Sequence, residues 1–513
     1  MAHQAFRTRR RSAPLASRTR AGYKECGADV NTVLVLLTRD LRTHDHPALA
    51  AAAATAERVV PAFVIDDRLL ACGFARPNRL AFLLDSLADL DTSLARRGAR
   101  LVIRRGDVAE ESMRLARATG AGAIFTSADV SGYARARERR LGAACGKAGL
   151  EFRTFPGLTV APPGTLRPSS GGDHFRVFTP YWNSWRRAAL RPLAPTSARL
   201  SLPSGLTAGR LPRLEELTRG RPSPDLPPGG ETAGRARLAA WLRGGLDRYE
   251  DTHDRLQADA TSRLGPYLHL GCVSAREIVG PVQGRAGAEA FLRQLCWRDF
   301  CHQVTAAFPA IARKEYRPRG DRWRRDPRAL EAWKAGRTGY PIVDAAMRQL
   351  AREGFMPNRA RLIAASFLVK DLGVDWRLGA AHFLDLLVDG DAVHPGQRAP
   401  DALRVPSDQG GRQPVPDRRP DPFWRRLAVT GRGIHVAGAL APGVGPDAHH
   451  HALLDGLARV GVPEGSAERD LDQPGVDGGD LHGRQAHGAL RRDGPGPPSC
   501  APGSRRRRGP ARG

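Results

Sequence analysis

Residues 339–391 carry two apolar patterns of helical period, joined by Met-Pro-Asn-Arg-Ala-Arg at 356–361. Ile342, Val343, Ala346 and Leu350 fall on one helix face, and Leu362, Ala365, Ser366 and Val369 on another, so the stretch predicts two packed helices. The junction opens the second helix with Asn358, Arg359 and Arg361. Donors and positive charge at a helix start suit an anion or an electron-rich ring. They equally suit a surface turn solvated by its arginines, and the residues alone leave both readings open. The stretch closes on Asp389-Gly390-Asp391.

Upstream the period changes. Residues 33–37, 59–65, 100–104 and 123–126 read as buried strands, with helical patterns at 80–97 and 108–119. This alternation predicts a doubly wound, Rossmann-like α/β domain, in which ligands sit beyond the carboxyl ends of the strands. Arg39, Asp40, Arg42 and Asp45 after the first strand, and Gly106 and Asp107 after the third, hold such positions. The competing reading is that Asp40 and Arg42 pair within their loop. From 235 to 391 the pattern is helical, without strand alternation. The expected organisation is therefore α/β plus all-α: a disordered basic extension over 1–31, an α/β domain over 32–160, a Pro- and Gly-rich connector over 161–234, a helical domain over 235–391, and an Arg-, Gly- and Pro-rich tail over 392–513.

A formal charge of +27 favours a polyanionic partner, because neutralising phosphates releases counterions. Part of the excess lies in arginine runs near both ends, at 7–11 and 505–508, so the sign carries more than the size. No apolar run reaches the roughly 18 residues of a membrane span. The seven cysteines form no CxxC pair and no Cys/His cluster has zinc spacing, which predicts reduced thiols, no metal and a cytoplasmic setting. His449, His450 and His451 have no second ligand cluster to join. Residues 1–31 lack the apolar core of a secretory signal and read as a basic arm or an upstream start codon.

Several long motifs stand in one register that resembles the DNA photolyase and cryptochrome family, over residues 33–391. Residues 338–350 (TGYPIVDAAMRQL), 358–370 (NRARLIAASFLVK), 375–377 (DWR) and 389–391 (DGD) are similar to its FAD domain. Residues 261–268 (TSRLGPYL) resemble its phosphate-binding turn, 294–300 (QLCWRDF) its substrate-facing helix, and 38–49 (TRDLRTHDHPAL) the first loop of its antenna domain. Within the family the similarity is greatest to class I cyclobutane pyrimidine dimer photolyases.

The resemblance implies an α/β antenna domain followed by a helical FAD-binding domain. It implies that Tyr249, Thr261, Ser262, Arg263 and Leu264 hold the phosphates and adenine side of FAD. Phe291, Arg298, Asn358, Arg359, Arg361, Asp389, Gly390 and Asp391 would line the flavin and its surroundings, with Asp389 as the ion-pair partner of Arg361. Damaged DNA would meet His253, Gln294, Trp297, Arg298, Asn358, Arg359 and Leu362, a flipped-out dimer stacking on Trp297 and hydrogen-bonding to Gln294. A lone helical tryptophan suits the core as well. Trp323 and Trp376 match the distal and middle members of an electron relay, whereas Trp333 and Trp424 match neither. Arg42 and Asp107 would mark the site of an antenna pigment, a deazaflavin or a folate. The implied activity is light-driven repair of pyrimidine dimers by electron transfer from reduced FAD, in a monomer without metal. The alternatives are a cryptochrome-like blue-light receptor and an inactive photolyase-like pseudoenzyme that cannot retain FAD.

Four departures qualify the resemblance. Gln294 stands where many relatives have Glu, so it cannot supply a proton. Pro357 stands where a histidine is usual, which argues against repair of the (6-4) photoproduct. Leu36-Leu37-Thr38 replaces Trp-Phe-Arg, which leaves the pigment's identity open. After Asp391 the family's Asn-rich segment ending in Trp-x-Trp is missing, and 392–513 contain no Lys, no Tyr, and only Phe423 and Trp424 as aromatics. The expected flavin-proximal Trp and the Asn at flavin N5 are thus absent, leaving the helical domain incomplete at its end. A shifted reading frame in GC-rich DNA and a lineage-specific disordered tail both fit this composition.

Overall fold

The computed structural model describes residues 31–73, 75–312 and 322–391. The tail over 392–513, with its frame-shift reading, and the arm over 1–30 lie outside the described residues.

Five strands form one all-parallel sheet: β1 (Thr32–Leu36), β2 (Arg58–Asp66), β3 (Val102–Gly106), β4 (Ala123–Ser127) and β5 (Glu151–Phe155), in the order β3-β2-β1-β4-β5. Val33 registers with Val59 on one side and Ala123 on the other. Helices Pro47–Thr55, Pro77–Ala95, Val108–Thr119 and Gly132–Lys147 provide the crossovers. Strands covered on both faces need apolar side chains on both, which is why β1 reads as an unbroken run of buried residues rather than an alternation. Strand β5 is an edge with only two phenylalanines in five residues, and it gave no such run.

The order reverses between β1 and β4, the place where open α/β sheets usually take a ligand. Here the helical domain occupies it. Leu41 N donates to Leu270 O at 3.1 Å, and Gly271, at φ +67°, comes so close that a Cβ would lie 2.0 Å from Arg39 O. One apolar core accordingly runs from Val33 through the helix Ala288–Ala307 to Val388. A second gathers Met347, Leu350, Met356, Ala364 and Phe383 around the fully buried Trp333, whose Nε1 donates to Ala364 O at 2.9 Å.

The connector includes a helix, Phe178–Trp185, and is pinned at several places. Val59 N donates to Ser201 O at 2.8 Å, Ile103 N to Ala208 O at 2.7 Å and Asp225 N to Arg352 O at 3.0 Å. Two helices, Pro341–Glu353 and Asn358–Ser366, stand where the paired patterns predicted them. The second stops short of Val369. Its ladder widens into a π-helical turn at Phe367–Asp371, which buries Phe367 and Leu368 and leaves Val369 half-buried. The helix Trp376–Leu386 leads into the Asp389-Gly390-Asp391 turn. Among the described residues no helix is long and apolar enough to cross a membrane, and no His, Cys, Asp and Glu cluster is arranged for a metal.

Candidate functional site

The turn at 389–391 is held from two sides. Arg361 Nη2 donates to both oxygens of Asp389 at 2.9 Å, and its Nε to Met356 O at 2.7 Å, so the guanidinium is fixed inside the helical domain. Both side chains are buried, where such a pair has its geometry set by hydrogen bonds rather than by water. A Cβ on Gly265 would lie 2.5 Å from Asp389 Oδ2, so the approach requires glycine there.

The other side belongs to the α/β domain. Arg39 Nη2 donates to Asp391 Oδ2 at 2.5 Å, while Arg39 Nε donates to His269 O at 3.0 Å and Nη1 lies 3.5 Å from Asp129. Burial opposes the charge on Arg39, but Asp391 and Asp129 outweigh it and raise its pKa above the ordinary guanidinium value. His269 Nδ1 is 3.5 Å from Asp391, yet burial holds the imidazole below its usual pKa. Arg79 donates to Leu384 O at 2.5 Å and Leu387 O at 2.8 Å, and Asn78 to Leu386 O at 2.5 Å. Leu384 and Leu386 carry two of the last carbonyls of the helix Trp376–Leu386, which lack intrahelical partners, and Leu387 is its C-cap. Burial brings the Arg79 guanidinium down to about 10.

The turn at 261–264 precedes the short helix Gly265–His269. Arg263 takes a left-handed backbone, φ +52°, a conformation that costs a non-glycine residue about a kilocalorie or more. Its guanidinium donates to Asp259 at 2.8 Å and Glu353 at 2.7 Å. Burial works against that charge, and the two carboxylates overcome it and raise the pKa. Ser262 Oγ accepts from Leu264 N at 3.4 Å, and Arg237 Nε donates to Ser262 O at 3.0 Å. Thr261 Oγ1 is buried with no hydrogen-bond partner. An orphaned hydroxyl in such a turn fits a phosphate oxygen that would accept its proton. Leu264 is buried beneath the turn.

An aromatic wall lies nearby. Phe291 is buried, with its ring 4.3 Å from Trp241 and 5.6 Å, edge to face, from Tyr249. Burial first and the charge of Asp254 second push the Tyr249 hydroxyl up to about 12. His253 stacks on Tyr249 at 5.0 Å with Nδ1 2.8 Å from Tyr249 O. Its Nε2 is 3.4 Å from Asp254 Oδ1, to which Arg359 Nε also donates at 2.8 Å.

On the helix Ala288–Ala307, Gln294 and Trp297 are exposed on one face. Trp297 is 41% exposed and lies flat against Phe178, so it is not a core tryptophan. Asn358 is exposed, and Arg359 and Leu362 are partly so. Arg298 corrects the sequence reading. Of the two contacts expected of it, with the flavin and with DNA, its burial is at odds with the second: it turns inward and donates to Leu158 O at 2.5 Å and Leu268 O at 3.2 Å. Burial brings its guanidinium down to about 10.

Trp376 is buried at the start of its helix, which Asp375 caps, with Arg377 over the ring at 4.9 Å. Trp323 is half-buried. Arg324 N donates to Gly373 O at 2.8 Å, and this backbone bridge lays the Trp323 segment beside the one leading into Trp376.

Both antenna positions are committed elsewhere. Arg42 is 1% exposed and donates to the carbonyls of His44, Asp45, Gly157 and Gly271. These bonds tie the first loop to the far edge of the sheet and to the helical domain. Asp107 caps the helix Val108–Thr119, accepting from Ala109 N at 3.0 Å and Glu110 N at 3.3 Å, and pairs with Arg140 at 2.6 Å and Arg68 at 3.0 Å. Desolvation raises its pKa, but Arg140 and the capping amides prevail and hold it below the usual carboxylate value.

Residues 33–199 match the DNA photolyase family, and residues 291–398 match the FAD binding domain of DNA photolyase. The chain is 46% identical over 443 residues to a deoxyribodipyrimidine photo-lyase of Streptomyces griseus, taking in 84% of this chain and 95% of that relative. It is 34% identical over 392 residues to cryptochrome DASH of Xenopus laevis, taking in 70% of this chain and 74% of the relative. It is also similar to the crystal structure of a class III photolyase from Agrobacterium tumefaciens, at 31% identity and a TM-score of 0.67, over 74% of this chain and 81% of that one.

Proposed function

The chain belongs to the DNA photolyase and cryptochrome family, and from that premise we propose that it binds FAD in the helical domain and repairs pyrimidine dimers in DNA under blue light. The observation that carries the proposal is Trp297, an exposed indole held flat and sharing a helix face with Gln294. A flipped base needs such a platform, because it must leave the duplex stack and find a new one.

When bound and reduced, FAD supplies the electron that light drives onto the dimer. The work of the chain is to position and to exclude water. The Thr261 hydroxyl and the amides of its turn receive the phosphates, and Leu264, Phe291 and Tyr249 give the apolar and aromatic floor. Arg361 and Asp389 present a pre-paired charge whose orientation costs nothing further on binding. Trp297 stacks the dimer, and the Gln294 amide both donates to and accepts from its base edges. Asn358 and His253 lie on the same exposed side as Arg359, which exchanges Asp254 for a DNA phosphate with counterion release. Trp376 and Trp323 would carry an electron inward from the surface. The monomer and the absence of metal belong to the same proposal.

A cryptochrome-like receptor is the second reading, favoured by Gln294, which has no proton to give. The full 513-residue protein is purified by gel filtration, its visible spectrum is read for flavin and for a second pigment, and dimer-containing DNA is illuminated against a dark control. Light-dependent loss of dimers supports repair. Bound flavin without repair supports the receptor, and a colourless protein supports an inactive relative whose site lacks its family continuation after Asp391. Translating the gene beyond the Asp391 codon in the other two frames tests the shifted-frame origin of 392–513.

A further inference from the structure

The two carboxylates of the 389–391 turn are divided between the two parts of the fold. Asp389 is held by Arg361, from within the helical domain. Asp391 is held by Arg39, which leaves the end of β1 at the point where strand order reverses and reaches 352 residues along the chain. In an open α/β sheet that point ordinarily receives a ligand. In this chain it is given to a side chain of the neighbouring domain. Arg79 and Asn78 reinforce the arrangement by taking the final carbonyls of the helix that delivers the turn, and a Cβ on Gly390 would lie 2.7 Å from Arg79 Nη1.

We propose that Arg39 is a positioning residue for the flavin, orienting Asp391 from the α/β domain and setting the charge of that wall of the site. The inference rests on the FAD-binding reading above. Around the Arg39 guanidinium stand Asp129 and Asp391 as anions and His269, with Arg298 as a further cation sensed by the same group. Arg39 therefore balances two carboxylates at once. Replacing it by a neutral side chain takes a full positive charge from beside Asp391 and leaves the wall more negative. Negative charge near a flavin opposes its reduction, so the consequence reaches beyond packing to the potential of the bound group.

The test uses the full-length protein with FAD as the probe, comparing Arg39→Met, Arg39→Lys and Asp129→Asn with wild type. Three quantities are read: FAD retained after dialysis against a dilution series, the midpoint potential of the bound flavin, and the melting temperature. The expected result is that Arg39→Met binds FAD about tenfold more weakly, the size of one charge-assisted hydrogen bond. Its bound flavin should also have a lower midpoint potential, while Arg39→Lys recovers most of both. Asp129→Asn keeps Arg39 and removes one of its two anions, so its potential moves upward; this variant decides the matter if Arg39→Met does not fold. Wild-type affinity and potential in Arg39→Met, or an unmoved potential in Asp129→Asn, overturns the proposal. So does an Arg39→Lys that is as defective as Arg39→Met in proportion to its lost melting temperature, since that is packing alone. A wild-type protein that takes up no FAD is a different result: it removes the cofactor reading itself, and this inference with it.

Discussion

Trp297 and Phe178 lie in parallel planes, 2° apart with ring centroids 3.8 Å apart, although 119 residues separate them in sequence. Phe178 is buried at the start of the helix Phe178–Trp185, and the Arg293 guanidinium lies 5.5 Å from its ring. One face of the indole is thus fixed by protein and the opposite face is left to solvent. Trp297→Ala is expected to weaken binding of dimer-containing single-stranded DNA by about 1–3 kcal/mol, the usual worth of one base-aromatic stack. Phe178→Ala should weaken it in the same direction by less, because the indole remains but loses its orientation. Fluorescence anisotropy with a labelled oligonucleotide measures both, and flavin content serves as the control. Equal affinity for wild type and Trp297→Ala would remove the stacking role.

The Arg361 and Asp389 pair makes an asymmetric prediction. Arg361→Met leaves a buried carboxylate without its guanidinium and should cost about 3–5 kcal/mol in chemical denaturation. Asp389→Asn leaves an amide that still accepts from Arg361 and should cost less. Gly265→Ala forces Asp389 aside by its Cβ and should lower the flavin content while costing about 1–3 kcal/mol, as overpacking does.

The burial of His382 sets the sign of a pH dependence expected of the protein. Its ring packs at 5.7 Å from Trp333, its Nε2 is buried, and burial depresses its pKa from 6.5 to about 4. Between those values the unfolded chain binds a proton that the folded chain refuses, so unfolding is favoured as pH falls. The stabilising contribution is complete above pH 6.5 and is lost as pH falls to about 4. The melting temperature of wild type should rise across this window, and that of His382→Leu should rise less steeply. Parallel profiles for the two proteins would contradict the assignment.

What the sequence made legible follows from how each feature is encoded. Strands β1, β2 and β4 lie inside the sheet and leave runs of buried residues, whereas edge strand β5, Glu-Phe-Arg-Thr-Phe, has nothing periodic to distinguish it, and edge strand β3 is buried only at Val102 and Ile103. The helix faces around 342–365 are local in sequence and were readable to within a turn, up to the π-helical widening at Phe367. The Arg361 and Asp389 pair was implied by resemblance and by no property of the residues themselves. The directions of the arginines were not legible at all. A guanidinium on a long stem can reach solvent, a carboxylate or a carbonyl from the same backbone position, and Arg298 and Arg42 found buried carbonyls. The contacts of Phe178, Arg79 and Asn78 were not legible because their partners lie far along the chain, beyond any periodic signal.

Arg42 provides the last prediction, since its burial gives it a structural role to set beside the antenna role expected of it. Four carbonyls, those of His44, Asp45, Gly157 and Gly271, receive its donors, so it stitches the loop after β1 to the end of the sheet and to the helical domain. Arg42→Ala would remove the donors from these buried acceptors, at about 1–3 kcal/mol for each that stays unsatisfied. Arg42→Lys would keep the charge but lacks the planar fork that spans four acceptors, and should recover only part of the loss. An antenna residue would behave otherwise: its loss would remove a pigment band and leave the melting temperature unchanged. The melting temperature and visible spectrum of Arg42→Ala, measured on one sample, separate the two. A large drop in the first with any pigment-to-protein ratio preserved in the folded fraction is the outcome that the buried geometry requires.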